Sequence, residues 1–233
     1  MKTLFIPCYS KKDPTEAVGK AVKKLEGFKR IGLVTTAQHL NKLDEIKEFL
    51  EKNGKEVVVG GQVLGCDQSS SVRIEKDVDA FLYIGSGRFH PLGVGIKTDK
   101  KVIVANPYSN TADEIGKDEK NRWLKRQRGR IMKGMEAKTF GILISTKEGQ
   151  FNKLFKKKFN QKNNLNLALK LKERIESVKK KAFLFAGEEI NPGNVLGFEV
   201  DAWVNTACLR LVDDHFDKPV LNLEELEHVL DVT

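Results

Sequence analysis

The chain has 233 residues, 40% hydrophobic and 31% charged, too apolar for disorder and long enough to bury roughly 70–75% of its unfolded surface without a disulfide or metal staple. No apolar run approaches the ~18 residues of a membrane span, and the opening MKTLFIPCYS is too short a run for a signal-peptide core. The net charge of +9, from 41 basic and 32 acidic residues, fits a Lys-rich solvated surface or a polyanionic or acidic partner such as RNA or an acidic protein.

In chain order, Leu4-Phe5-Ile6 reads as a strand and Pro14–Leu25 as a helix, with Pro14 suited to a first turn and Gly27 to the stop. Ile31–Thr35 reads as a strand. Asn41–Asn53 is a helix with apolar Leu43, Ile46 and Leu50. Val57–Val59 is a strand ending in Gly60-Gly61, and Ala80–Ile84 one ending in Gly85-Ser86-Gly87. Val102–Ala105 follows. Ala112–Met135 is helical and strongly basic. Phe140–Ser145 restarts the strand rhythm, and Phe151–Lys180 is a Lys- and Asn-rich helical stretch with a break at Asn163-Asn164. Phe183–Phe185, Ala202–Thr206 and Val220-Leu221 are further strands, and Leu223–Leu230 is a short terminal helix.

Short β-branched runs alternating with amphipathic stretches predict an α/β fold of repeated Rossmann-like units with mostly parallel sheets. The second half repeats the plan of the first, so the expected division is 1–28, 29–136 and 137–233. Residues 1–28 are too small to bury a core alone and read as the tail of a further unit.

The three cysteines, Cys8, Cys66 and Cys208, are odd in number and widely spaced, which argues against a disulfide framework and for a reducing cytoplasm. Cys66 in GGQVLGCD and Cys208 in AWVNTACLR both follow strands. As structural residues they are small buried hydrophobes. As functional ones they lie beyond the carboxyl ends of parallel strands, where open α/β sheets bind ligands, and thiolates suit iron–sulfur clusters, zinc or copper. In YIGSGRFHPLG, Gly85 and Gly87 let backbone approach a carboxylate or phosphate, and His90 precedes Pro91, which predicts extended backbone. TTAQH places Gln38 and His39 at the same kind of strand end, with a threonine helix cap as the plain reading. Residues 122–133 hold six basic residues and no acid, either an RNA contact or a solvated helix face packed through Trp123, Leu124 and Ile131. No P-loop, paired-carboxylate site or Ser/His/Asp order stands out.

IGLVTTAQHL, GGQVLGCD, FLYIGSGRFHPLG, VIVANPY, FGILISTKEGQ and VNTAC followed by DD and KPVLN occur here in order. Together they resemble the archaeal diphthamide biosynthesis enzymes, the 2-(3-amino-3-carboxypropyl)histidine synthases, over essentially the whole chain. The resemblance implies three similar α/β units, each giving one cysteine to a 4Fe-4S cluster. An open iron binds S-adenosylmethionine, whose cleavage yields a 3-amino-3-carboxypropyl radical that adds to a histidine of translation elongation factor 2. By resemblance, Cys66 and Cys208 are the middle and last units' metal ligands. Gln38, His39, Gly85, Ser86, Gly87 and His90 line the cofactor cleft.

The departures are specific. The family's first unit and its cysteine have no counterpart here, and Cys8 falls on that unit's last strand, where the family does not place a ligand. Leu209 stands where a proline usually follows the last ligand, and Asn194 where the family often carries lysine. The expectation is a cytoplasmic subunit, in a homo- or hetero-oligomer without membrane contact, whose third cluster cysteine comes from a separate chain. The alternatives are a non-catalytic accessory subunit and a basic α/β RNA-binding protein.

Overall fold

β1 (Arg30–Thr35) is buried from Ile31 to Thr35. A strand buried on both sides needs helices over both faces, the situation of a parallel sheet. In the computed structural model, which describes residues 6, 8–65, 67–147 and 164–231, β1 is an inner strand of a sheet ordered β2-β1-β3-β4-β5. Its members are β2 (Glu56–Gln62), β3 (Ala80–Ile84), β4 (Lys101–Asn106) and β5 (Thr111–Glu114). The first four are parallel and β5 is antiparallel to β4. On one face, α1 (Thr15–Lys24) and α2 (Leu43–Lys52) pack Ala17, Val18, Ala21, Ile46 and Leu50 against Leu33, Leu82 and Ile103. On the other, α3 (Ser69–Ile74) and α4 (Phe89–Thr98) bring Ile74 and Val94 against Val34, Phe81, Tyr83 and Val104.

The chain divides into two compact units, residues 1–121 and 122–233. α1 belongs to the core of the first, so residues expected to be a separate remnant form one of its helical layers. The division falls inside α5 (Lys117–Glu136), before the expected boundary at 136/137. Ile131 and Met135 of that helix pack on the second unit's core.

That second unit is a parallel sheet ordered β7-β6-β8-β9, from β6 (Thr139–Ser145), β7 (Lys181–Gly187), β8 (Ala202–Asn205) and β9 (Val220–Asn222). α6 (Asn164–Ser177) and α8 (Leu223–Asp231) cover one face through Leu167, Leu171, Leu226 and Val229. Short α7 (Pro192–Val195) and Trp203 lie on the other.

The two units repeat at the level of single contacts. Asp79 Oδ2 accepts from the Lys29 and Arg30 amides at 3.2 and 2.8 Å, and Asp201 Oδ2 from the Lys138 and Thr139 amides at 2.9 and 2.8 Å. Lys55 Nζ donates to the carbonyls of Leu25 and Phe28, and Lys180 Nζ to those of Met135 and Ala137. A Cβ on Gly32 would sit 2.6 Å from the Phe81 ring, and one on Gly141 would run into the Trp203 ring. In each unit a strand glycine admits an aromatic ring of the neighbouring strand.

Several local expectations are corrected. β2 runs through Gly60 and Gly61 to Gln62, with a register shift between Leu33 and Val34 absorbing the glycines. Ala112 lies on β5, and the basic helix starts only at Lys117. His90 is helical, because Pro91 falls in the first turn of α4, where a missing amide hydrogen costs nothing. The strand Leu4-Phe5-Ile6 and the helical stretch before Asn164 fall outside the described residues except for Ile6.

Candidate functional site

The carboxyl ends of β1, β2, β3 and β4 lie on one edge of the first sheet. At that edge β1 passes into a 3-10 turn, Ala37–Lys42, carrying Gln38 and His39. Thr36 occupies the cap position without a side-chain cap bond. His39 is buried, and burial pushes its imidazole below the ordinary range, so the ring is neutral near pH 7. Its ring meets Tyr108 edge-on at 6.0 Å. The Tyr108 hydroxyl donates to Ser10 Oγ at 3.1 Å, and the Ser10 amide donates to the Gln38 carbonyl at 2.8 Å. The segment carrying exposed Cys8 is thereby tied to this edge.

Cys66 lies outside the described residues. Its flanking residues Leu64 and Asp67 exchange backbone hydrogen bonds of 2.9 and 3.0 Å. Gln68 then ties this loop to α4: its Nε2 donates to the Leu64 carbonyl at 2.7 Å and the His90 carbonyl at 3.3 Å. Phe89 packs so tightly over Gly65 that no side chain fits at that position. β3 ends in Tyr83-Ile84-Gly85, and Gly85 takes φ 148°, a conformation that favours glycine. The place a Cβ would take there is 2.7 Å from the Tyr83 hydroxyl. Tyr83 is fully buried, and burial pushes its phenol up to about 12. Thr36 opposes that shift slightly but does not complete a hydrogen bond with the hydroxyl. The Tyr83 and His90 rings stack at 6.4 Å and 8°.

The structure thus brings Gln38, His39, Gly85, Ser86, Gly87 and His90 to one edge of the first unit. Sequence reasoning missed Gln68, Tyr83 and Tyr108 there. Tyr83 reads as one apolar residue in a buried strand, and Gln68 as a polar loop residue. Only the fold shows that each is buried with a polar atom to satisfy.

In the second unit, Cys208 is an exposed free thiol opening a 3-10 turn, Leu209–Asp213, after β8. Its turn rests on a buried polar chain. Asn205 Nδ2 donates to the Cys208 carbonyl at 2.9 Å and to Asn222 Oδ1 at 2.8 Å. Asn205 Oδ1 accepts from the Ala207 amide at 2.9 Å. The Asn222 amide donates to Glu225 Oε2 at 3.0 Å, and Arg130 grips both Glu225 oxygens at 2.6 and 3.3 Å. Partial desolvation raises the carboxyl of Asp213, a residue that stays exposed, above its ordinary range, opposed by Arg130, Arg126 and Arg210. Part of the basic stretch at 122–133 therefore supports the cysteine turn from below.

A soft metal group would find in Cys208 a solvent-reachable thiol on a turn fixed by buried hydrogen bonds, which fits thiolate ligation. No group of three or more His, Cys, Asp or Glu side chains able to hold a metal occurs among the described residues. Among those residues, too, no helix is long and apolar enough to cross a membrane.

Residues 1–233 match the family model described as "Putative diphthamide synthesis protein". The 2-(3-amino-3-carboxypropyl)histidine synthase of Pyrococcus horikoshii is 34% identical over 98% of this chain and 65% of its own length. The synthase of Methanocaldococcus jannaschii is 29% identical over 97% of this chain and 62% of its own. The crystal structure of Dph2 from Pyrococcus horikoshii with a 4Fe-4S cluster matches 97% of this chain and 64% of that one, at a TM-score of 0.81 and 32% identity. The chain spans just under two thirds of the length of these archaeal relatives. The match over its full length, with the mostly parallel α/β fold, places the chain in the diphthamide synthesis protein family.

Proposed function

We propose that this chain is a subunit of a 2-(3-amino-3-carboxypropyl)histidine synthase. It would transfer the 3-amino-3-carboxypropyl group of S-adenosylmethionine to a histidine of translation elongation factor 2, in the cytoplasm. The observation that carries the reading is Cys208, an exposed thiol beyond a parallel strand end, on a turn fixed by Asn205. It stands in a chain similar to a Dph2 that holds a 4Fe-4S cluster. Cys66 and Cys208 would hold such a cluster, with the third thiolate supplied from outside these 233 residues by a partner chain.

The bound cluster would supply an iron position for S-adenosylmethionine and the electron that cleaves its carbon–sulfur bond. The chain's own residues would do the rest. Asn205 and Asn222 would hold the Cys208 turn so that its thiolate needs no reorganisation on binding. His39, kept neutral by burial, would meet the ligand as a hydrogen-bonding group rather than a cation. The Gly85–Gly87 turn would let a carboxylate approach backbone amides.

The test is anaerobic transfer of labelled 3-amino-3-carboxypropyl from S-adenosylmethionine to elongation factor 2, with a cysteine-bearing partner unit present. Label on the factor, abolished by Cys66→Ala and by Cys208→Ala, is the expected result. Undiminished transfer in both variants would overturn the assignment.

A further inference from the structure

The two units differ at the edge where their strands begin, the end of the second sheet opposite Cys208. Matching contacts identify the equivalent residues there. α2 ends with the Gly54 and Lys55 amides on the Glu51 and Leu50 carbonyls, and α6 with the Lys179 and Lys180 amides on those of Glu176 and Ile175. The Glu56 amide then donates to the Lys29 carbonyl, and the Lys181 amide to the Lys138 carbonyl, each at 2.9 Å. Gly54 thus corresponds to Lys179, Glu56 to Lys181 and Lys29 to Lys138.

The first unit neutralises its charges at this edge. Lys29 pairs with Glu56 at 2.7 Å, and Gly54 takes the turn at φ 77°. In the second unit a lysine stands at the glutamate's position. Lys179 takes the turn at φ 61°, a left-handed conformation that glycine adopts at lower cost. The fold requires neither lysine, since the first unit builds the same turn without them.

Lys138, Lys179, Lys181 and Lys218 are exposed and form no ion pair among the described residues. They line one cleft of about 920 Å³ together with exposed Leu196 and Phe198. Of its three carboxylates, Asp201 is occupied by the Lys138 and Thr139 amides and the Thr139 hydroxyl. Glu199 and Asp217 leave the lysines in excess. A second cleft, of about 310 Å³, shares Asp217 and Lys218 with the first and adds Arg126, Lys133 and Phe216. Each cleft joins cations to a phenylalanine ring. Single-stranded nucleic acid is held by these two parts, cations that track phosphates and rings on which bases stack. Protein interfaces, by contrast, are depleted in lysine. RNA is the nucleic acid that presents unstacked bases in loops and ends.

We propose that the amino-end edge of the second sheet binds single-stranded RNA, with phosphates along Lys138, Lys179, Lys181 and Lys218 and a base on Phe198. This site is separate from the cysteine turn and goes beyond the transfer reaction.

The experiment is fluorescence anisotropy of the full chain with a short labelled single-stranded RNA between about 50 and 200 mM salt. The logarithmic salt slope should be about −3, from four lysine–phosphate contacts at ~0.7 each. Lys181→Glu should weaken binding at least about tenfold and bring the slope toward about −1.5. Its carboxylate would also occupy Lys138, as Glu56 occupies Lys29. Lys179→Gly should weaken binding about fivefold yet melt no lower than wild type, because it relieves the left-handed turn. Phe198→Leu should weaken it about fivefold or more with the slope unchanged. Lys24→Glu, the same charge change on α1 of the first unit, should stay within about twofold of wild type. Equal losses in Lys24→Glu and Lys181→Glu would trace the binding to the net charge of +9 and overturn the site. No binding at the lowest salt, or equal affinity for duplex RNA, would also overturn it. Tighter binding of an oligoglutamate than of RNA would overturn it too, making the cleft a surface for an acidic protein. Each of these results leaves the reading of Cys208 untouched, because that reading is tested by transfer of the labelled group.

Discussion

Glu225 is 1% exposed, and its carboxylate is met by the Arg130 guanidinium and the Asn222 amide. A buried charge held this way is costly to strand, because its partner's removal leaves the desolvation uncompensated. Arg130→Ala is expected to destabilise the protein by about 3–5 kcal/mol, read as a lower denaturant midpoint. Arg130→Met with Glu225→Leu should cost less than the single change, since no unpaired charge remains. The single change also removes a cation that opposes the rise of the Asp213 carboxyl. A carboxyl raised by folding contributes most below its unfolded value of 3.8, and that contribution fades as pH rises through the folded value. Arg130→Ala should therefore carry that loss to higher pH. The six basic residues at 122–133 read alike in sequence. Arg130 was not separable from its neighbours, because its partner lies 95 residues away and no local period connects them.

At the scale of elements, the repeated aspartates explain why both units start the same way. Asp79 and Asp201 each precede the third strand of their unit and collect the amides at the start of its first. Both carboxyls lie below the ordinary range. For Asp79 the main cause is the backbone bond from Arg30, and for Asp201 the Thr139 hydroxyl. A carboxyl depressed by folding stabilises fully above the unfolded value of 3.8, and its contribution is lost as pH falls through the folded value. Asp79→Ala and Asp201→Ala should each cost about 1–2 kcal/mol at neutral pH, kept modest by solvent screening. Each should also flatten the acid limb of the stability profile, measured by denaturation from about pH 6 downward. The pairs share no partner, so the two costs should add. Most strands were legible because buried parallel strands are short continuous apolar runs, as in ILIS of β6. α4 was not, because glycine and proline within FHPLGVGIKT imitate a loop. Six-residue α3 and four-residue β5 are too short to show a period. The strand-end placement of Gln38, His39 and Gly85 could be read from motif and rhythm together. The orphaned atoms of Tyr83 and Gln68 could not, because burial of a polar atom is a tertiary property.

At the scale of the whole molecule, the proposed cluster would draw only two thiolates, Cys66 and Cys208, from this chain. A four-iron core held by two thiolates keeps two irons without protein ligands and is expected to be labile. The chain has one more cysteine, Cys8, which is exposed. It lies two residues before Ser10, whose amide is bonded to the Gln38 carbonyl at 2.8 Å. Cys8 is thus carried to the edge where Gln38 and His39 lie, and it would be the internal competitor for a third ligand position in the proposed cluster. Against it stands the resemblance, in which the third cysteine belongs to another unit. The expected outcome of anaerobic reconstitution of the chain alone is well under four irons and four sulfides per protein, with the iron lost on desalting. Cys8→Ala should leave those values unchanged. Adding a separate α/β unit that bears a strand-end cysteine should raise iron and sulfide toward four each and make them survive desalting. Cys66→Ala or Cys208→Ala should abolish that rise. A full complement in the chain alone, lost in Cys8→Ala, would instead make Cys8 the third ligand and remove the need for a partner.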